Sequence, residues 1–352
     1  MRVGKIRARW YPEINRSARL DSGRERAGSL LKQWGHPLAK PLKSATTSAQ
    51  QVALLRARGM QVDEALAAQW LSNVSYYRLS AYWYPARRFA PDGGRADDFY
   101  AGTSFAEVVA LYEADRKLRT LVHDGMERVE VTMRARVGEW LCADGPLSYA
   151  DPSRFRPSFD HAGWMSTADK RIHRAGKHNE AIKHYRREYG GRYPFWVLAE
   201  VLDFADISRL FEGLRTQDQR PIAEGLGITI DLTKLSSSQQ RKATNRSPLT
   251  RWLEQLTVIR NTCAHHGRLW NKSFAPASTA ALRTHRKFEA LPEGQSERVF
   301  GALVVMASIL RVVSPGTNWP EKVSELLATS FLPNGLVTGS ALGLPDGWDG
   351  SL

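Results

Sequence analysis

The chain has 352 residues, 42% hydrophobic and 10% aromatic, which suits one large or two smaller domains with a sizeable core and excludes disorder throughout. Two cysteines, Cys142 and Cys263, exclude a disulfide framework or a multi-cysteine zinc site and fit a reducing compartment. Lys and Arg number 50 against 36 Asp and Glu, a net of +14, and 37 of the 50 are arginines, so polyanions are the expected partners, nucleic acid before an anionic membrane.

Residues 1–45 hold eleven basic and three acidic residues, a net of +8, with little apolar periodicity, and read as a mobile basic arm. Nothing apolar follows the first basic residues, so no secretory signal is expected. Ser48 is expected to cap a short helix that stops at Gly59, and Asp63 a second one carrying Leu66, Ala67, Trp70, Leu71 and Val74. The aromatic run SYYRLSAYWYP, 75–85, surrounds Arg78 and suits core packing better than base stacking. Over 104–142, Val108, Tyr112, Arg119, Val122, Met126, Val129, Met133 and Val137 recur at steps of three, four and seven, a seam for a partner helix or a second chain. On it, Asp115 and Arg119 form an i, i+4 pair and Gly125 is a point where the helix is expected to weaken.

Residues 145–193 are rich in Arg, Lys and His and read as a basic insertion of lower order, in which His173, His178 and His184 lack metal-ligand spacing. Pro194 is expected to open a helix through Leu214, followed by a short helix near 220–225 and a turn-rich link. Ser247-Pro248 opens the next helix. The apolar run Val299–Leu310, between Arg298 and Arg311, is too short to span a bilayer and reads as a buried helix, and Asn318 is expected to cap a last one. Strand is expected only at 228–232 and in the tail. The pattern is all-α, the product is expected to be soluble and cytoplasmic, and no membrane partner is expected.

Familiar phosphate-loop, dinucleotide and zinc-protease patterns are missing. The segment VIRNTCAHHGRLWN, 258–271, stands out instead. An apolar stripe of Leu249, Trp252, Leu253, Leu256, Ile259 and Cys263 leads into Arg260, Asn261, His265, His266, Arg268 and Asn271. Arginine can hold a phosphate and stabilise developing charge, and histidine can move a proton near neutral pH. Cleavage of RNA by its own 2′-hydroxyl needs no nucleophile from the protein, and no metal or cofactor is expected. On a regular helix Arg260 and His265 lie ~140° apart, so they converge only if the helix ends between them or if each faces a second copy.

RNTCAHHGRLWN resembles the R-N-x-x-A-H-H-x-R-L-W-N signature of the bacterial abortive-infection family of the Abi type, within the HEPN superfamily of helical ribonucleases and nucleotide-binding domains. KPLKSATTSAQQVALLRARGM, SYYRLSAYWYP, LYEADRKLRTLVHDGMERVEVTMRARV, HYRREYGGRYPFWVLAEVLDF and LGLPDGWDGSL resemble other family segments in the same order, so the likeness covers 38–352, with the signature helix at 248–266 and the arm at 1–37. Phe204-Ala205-Asp206 departs from the family, which usually has Phe-Gly there. The resemblance implies a HEPN-like helical bundle, and a metal-independent endoribonuclease of phage defence, with Arg260, Asn261 and His265 catalytic and His266 in possible support. Arg268 and Asn271 would contact RNA. The implied partners are RNA as substrate, a structured noncoding RNA, and a second copy in a homodimer. The alternative is an RNA-binding regulator or ribonucleoprotein component without catalysis.

Overall fold

The computed structural model describes residues 44–352, and the arm expected over 1–37 lies outside them. Within Thr47–Leu352 the fold is all-α, with two small two-stranded sheets. Helix α1 (Ser48–Ala57) starts one residue earlier than expected, because Thr47 rather than Ser48 caps it, by a reciprocal box with Gln50. Asp63 caps α2 (Glu64–Val74), and Ser75 caps α3 (Tyr76–Trp83). The aromatic run divides by face, with Tyr82 and Trp83 buried in the core and Tyr77 and Tyr84 exposed.

A hairpin missing from the expectations comes next, β1 (Arg87–Phe89) paired antiparallel with β2 (Arg95–Phe99). Ser104 and Glu107 then form a capping box for α4 (Phe105–Cys142), a 38-residue helix around which the domain is built. Its seam is filled from within the same chain: Val108, Val122, Met126, Val129, Met133 and Val137 are buried against other helices. Gly125 does not break it. A Cβ there would come within 2.7 Å of Met306 and 2.9 Å of Trp319, so the missing side chain is what lets two later helices close on α4.

The basic stretch is more ordered than its composition predicts. Helix α5 (His161–Ala175) buries Trp164 and Ala168, and α6 (Glu180–Glu188) buries Ile182. Their charges are partly spent internally, Arg171 on Asp203 at 2.5 Å and on Asp206 at 2.8 Å. The helix expected from Pro194 is two, α7 (Phe195–Leu198) and α8 (Phe204–Gly213). The chain extends between them at Leu202–Asp203, where Asp203 and Asp206 form a new capping box. Helix α9 (Thr216–Gly225) is longer than expected. Residues 228–231 are not strand, a short 3-10 turn covers Leu232–Lys234, and the link contains α10 (Ser237–Asn245).

Helix α11 (Leu249–Ala264) carries the apolar stripe, every member of which is buried. The strands β3 (Ala277–Ser278) and β4 (Gln295–Ser296) pair, and α12 (Val299–Val313) buries its whole apolar run from Val299 to Leu310. Helix α13 (Trp319–Leu326) starts at Asn318, though without a side-chain cap bond, and runs into a π turn. The tail, expected as strand, holds the short helix α14 (Gly339–Leu342). No helix among the described residues is long and apolar enough to cross a membrane.

Candidate active site

Helix α11 runs beside α4, and its last turn brings the signature residues to the surface. Arg260 is about one-third exposed, at 36%. Its Nε lies 3.6 Å from Oε2 of Glu130 on α4, and Oε1 of the same carboxylate accepts from Arg134 at 2.6 Å. Arg134 also donates to the Leu202 carbonyl, 3.0 Å away, in the extended link between α7 and α8. Glu130 is itself buried, so one carboxylate fixes the azimuth of Arg260 while two arginines and a carbonyl fix Glu130. Arg260 Nη1 also reaches Asn261 Oδ1 at 3.4 Å.

The helix ends where the two histidines begin. His265 is the C-cap, with φ −93° and ψ 14°, and its amide still bonds to the Asn261 carbonyl. His266 takes the left-handed conformation at φ 55°. Its amide bonds back to Cys263 O at 2.8 Å, and that of Gly267 to Thr262 O at 2.7 Å, the paired bonds of a Schellman turn. Glycine usually holds the His266 position, since a Cβ is disfavoured there. Both imidazoles are exposed, and among the described residues neither ring is hydrogen bonded.

Three contacts from distant parts of the chain secure this turn. Arg78 on α3 donates to the His266 carbonyl at 2.7 Å. Arg268 reaches the Ala81 carbonyl with one terminal nitrogen and the Asn271 carbonyl with the other, at 3.2 Å. It lies over the rings of Tyr82 and Trp270, 6.0 and 5.5 Å from their centroids, and burial pulls its pKa below the usual value. Both terminal nitrogens of Arg268 are therefore used inside the protein. Asn271, the other residue expected to meet RNA, sits in the left-handed region at φ 48°, with its amide on Ala341 O. Asp115 completes the anchor from the centre of α4. Fully buried, it accepts from Tyr82 Oη at 2.7 Å, Arg119 Nη1 at 2.5 Å, the Leu269 amide at 3.2 Å and the Trp270 amide at 2.8 Å. Burial pushes its carboxyl up, and Arg119, Tyr82 and the two amides pull it back.

Arg260, Asn261, His265 and His266 thus share one helix end, with their side chains at the surface. No direct contact joins Arg260 to His265. Glu130, Asp115 and Arg78 carry structural tasks at this site that the sequence left unassigned. An i, i+4 Glu130–Arg134 pair beside the seam was the one local sign of the first. Asp115 and Arg119 were legible as a pair, but their burial was not.

A helical domain that spends a buried carboxylate and two distant arginines on one exposed Arg-Asn/His-His turn is built to present that turn. The chain belongs to the Abi-like protein family, whose model matches residues 69–271, from the middle of α2 through the last residue of the signature, and this connects it with abortive infection. No curated protein and no solved structure matches the chain.

Proposed function

We propose that the protein is a metal-independent endoribonuclease of the HEPN type, acting in anti-phage abortive infection. The observation that carries this reading is one helix end that presents both Arg260, beside Glu130 and Asn261, and an exposed His265 imidazole with no hydrogen-bond partner among the described residues. In the reaction, the 2′-hydroxyl attacks the adjacent phosphorus and the bond to the 5′-oxygen breaks. The proton leaves the 2′-oxygen and one is delivered to the departing 5′-oxygen, giving a 2′,3′-cyclic phosphate and a 5′-hydroxyl. Arg260 holds the phosphate and offsets its growing negative charge. Asn261 and Glu130 aim the guanidinium. His265 moves the proton. His266, whose backbone forms the left-handed turn, stands in structural support with its ring available to share that work.

A second copy completes the arrangement. Arg260 and His265 do not converge within one chain, and apolar side chains lie exposed on the two helices that carry Arg260 and its partner: Val258 on α11 and Val131 on α4, the latter in a groove with Trp196. A homodimer through this face sets two Arg260–His265 sets across a shared cleft. Because the α4 seam is filled internally, the dimer relies on this exposed face.

The test is purified protein with total RNA in EDTA, with 5′-end sequencing of the products. Wild type is expected to cut and leave 5′-hydroxyl ends, while Arg260→Ala and His265→Ala lose about 10²–10⁴ in rate and keep wild-type circular dichroism. Equal cleavage by a folded His265→Ala overturns the assignment. A second reading, RNA binding without cleavage in a ribonucleoprotein, draws on Tyr77, 89% exposed beside Arg78 and therefore free to stack on a base. Copurified RNA without cleavage would decide for it.

A further inference from the structure

Beside the end of the signature segment, at Trp270 and Asn271, lies a cleft of about 690 Å³. Its walls come from the residues around the β1–β2 hairpin, from Trp270 and Asn271, from Arg298 at the start of α12, and from the segment 335–341. That volume is in the range of small-molecule sites, which span about 300–1,000 Å³.

The charges in it are unbalanced. Arg95 and Arg298 both line the cleft, and neither has a carboxylate partner among the described residues. Arg95 donates to the Arg87 carbonyl at 2.6 Å and lies 3.8 Å from the Phe89 ring centroid. Arg298 reaches the Asn271 side-chain oxygen only at 3.5 Å, the outer limit of a hydrogen bond. The one acid in the lining, Glu107, turns its carboxylate to the Ser104 amide at 3.3 Å and hydroxyl at 3.1 Å as part of the helix cap. Two half-buried guanidiniums share the cleft with this single carboxylate, which pairs with neither of them, and the surplus positive charge favours an anion.

The remaining lining suits an organic anion rather than a bare one. Thr338 and Ser340 bring hydroxyls 3.1 Å apart to the rim. Leu336 and Ala86 add apolar surface, and the wall residue Trp270 has a buried indole N–H without an acceptor. We propose that the cleft binds a phosphomonoester of mononucleotide size, its phosphate held by Arg95 and Arg298 and its organic body against the apolar surface of Tyr100 and Leu336. The cleft holds one nucleotide, not a strand. It is separate from the exposed Arg260–His265 turn, and the proposal stands without the nuclease reading. Occupancy draws Arg298 onto the phosphate and so acts on Asn271, three residues from the Arg268 fork.

The experiment is isothermal titration calorimetry of the full chain with the four ribonucleoside 5′-monophosphates, adenosine and inorganic phosphate. At least one monophosphate should bind saturably, and adenosine and inorganic phosphate should bind at least about tenfold more weakly, because each supplies only half of the contacts. Arg298→Gln should cost about tenfold or more in affinity. Ser340→Asp, a surface change that leaves every arginine in place, should do the same by bringing a negative charge to the rim. The proposal fails if no monophosphate binds up to about 5 mM, if inorganic phosphate binds as well as the nucleotides, or if folded Ser340→Asp binds like wild type.

Discussion

Removing the Asp115 carboxylate should destabilise the domain more than any surface ion pair could. In Asp115→Ala the Arg119 side chain, 6% exposed, keeps its charge without a partner, a situation that costs about 3–5 kcal/mol. The Leu269 and Trp270 amides and the Tyr82 hydroxyl lose their acceptor in the same step. At a urea m-value of about 3 kcal/mol/M this lowers the unfolding midpoint by about 1 M or more. The assay is urea titration followed by far-ultraviolet circular dichroism. Adding Arg119→Met separates the two contributions. The double variant no longer buries a bare charge but still orphans two amides at about 1–3 kcal/mol each, so it should recover only in part. Hydrogen exchange at Leu269 and Trp270 should quicken in both variants, since those two amides lose their acceptor. A single variant within about 1 kcal/mol of wild type, or full recovery in the double variant, would refute the claim that Asp115 anchors the turn as well as Arg119.

Three further outcomes follow from the packing. Gly125→Ala should destabilise by about 1–3 kcal/mol although alanine favours helix, because the new methyl meets Met306 and Trp319; a thermal midpoint raised above wild type would contradict this. His266→Gly should hold or raise stability by relieving the left-handed strain, and if it also preserves RNA cleavage then the ring has no proton role, whereas lost cleavage in the folded variant assigns it one. Burial pushes the Cys263 thiol up to about 12, so it should react with Ellman's reagent at pH 8 only on unfolding. Its folded value lies above the unfolded one. The stability it contributes is therefore complete below about pH 8.5 and is lost as pH rises towards 12, and Cys263→Ser should flatten that alkaline decline.

Where a helix pays for itself locally, the sequence showed it. Asp63 announces one start through its side chain, and the Val299–Leu310 run allows only a buried element. The β1–β2 hairpin gave no such sign, because Arg, Asp and Gly dominate 87–99 and no apolar alternation marks it. Helix α5 was hidden for a related reason, its buried Trp164 and Ala168 making a thin stripe among charges. Residues 228–231 mislead in the opposite direction. Their β-branched residues fit a strand, but no neighbouring strand is there to pair with them. The exposed Arg260–His265 turn was readable from residue types and order. Glu130 and Asp115 were not, since their partners lie about 130 and 155 positions away and spacing within a segment carries no trace of such pairing.

Three ties on the turn after α11 run to early parts of the chain, with separations of 188 residues for Arg78 to His266, 187 for Arg268 to Ala81 and 155 for Trp270 to Asp115. During synthesis at roughly 5–20 residues per second, α3 and α4 therefore wait roughly 8–40 s before these partners leave the ribosome. Throughout that interval Asp115 and Arg119 have only each other, Tyr82 and water. The order of translation thus makes the signature turn one of the last features to set: a nascent chain halted anywhere before Arg268 carries a long helix with an unfilled seam, a polar pair awaiting its lid, and no assembled site.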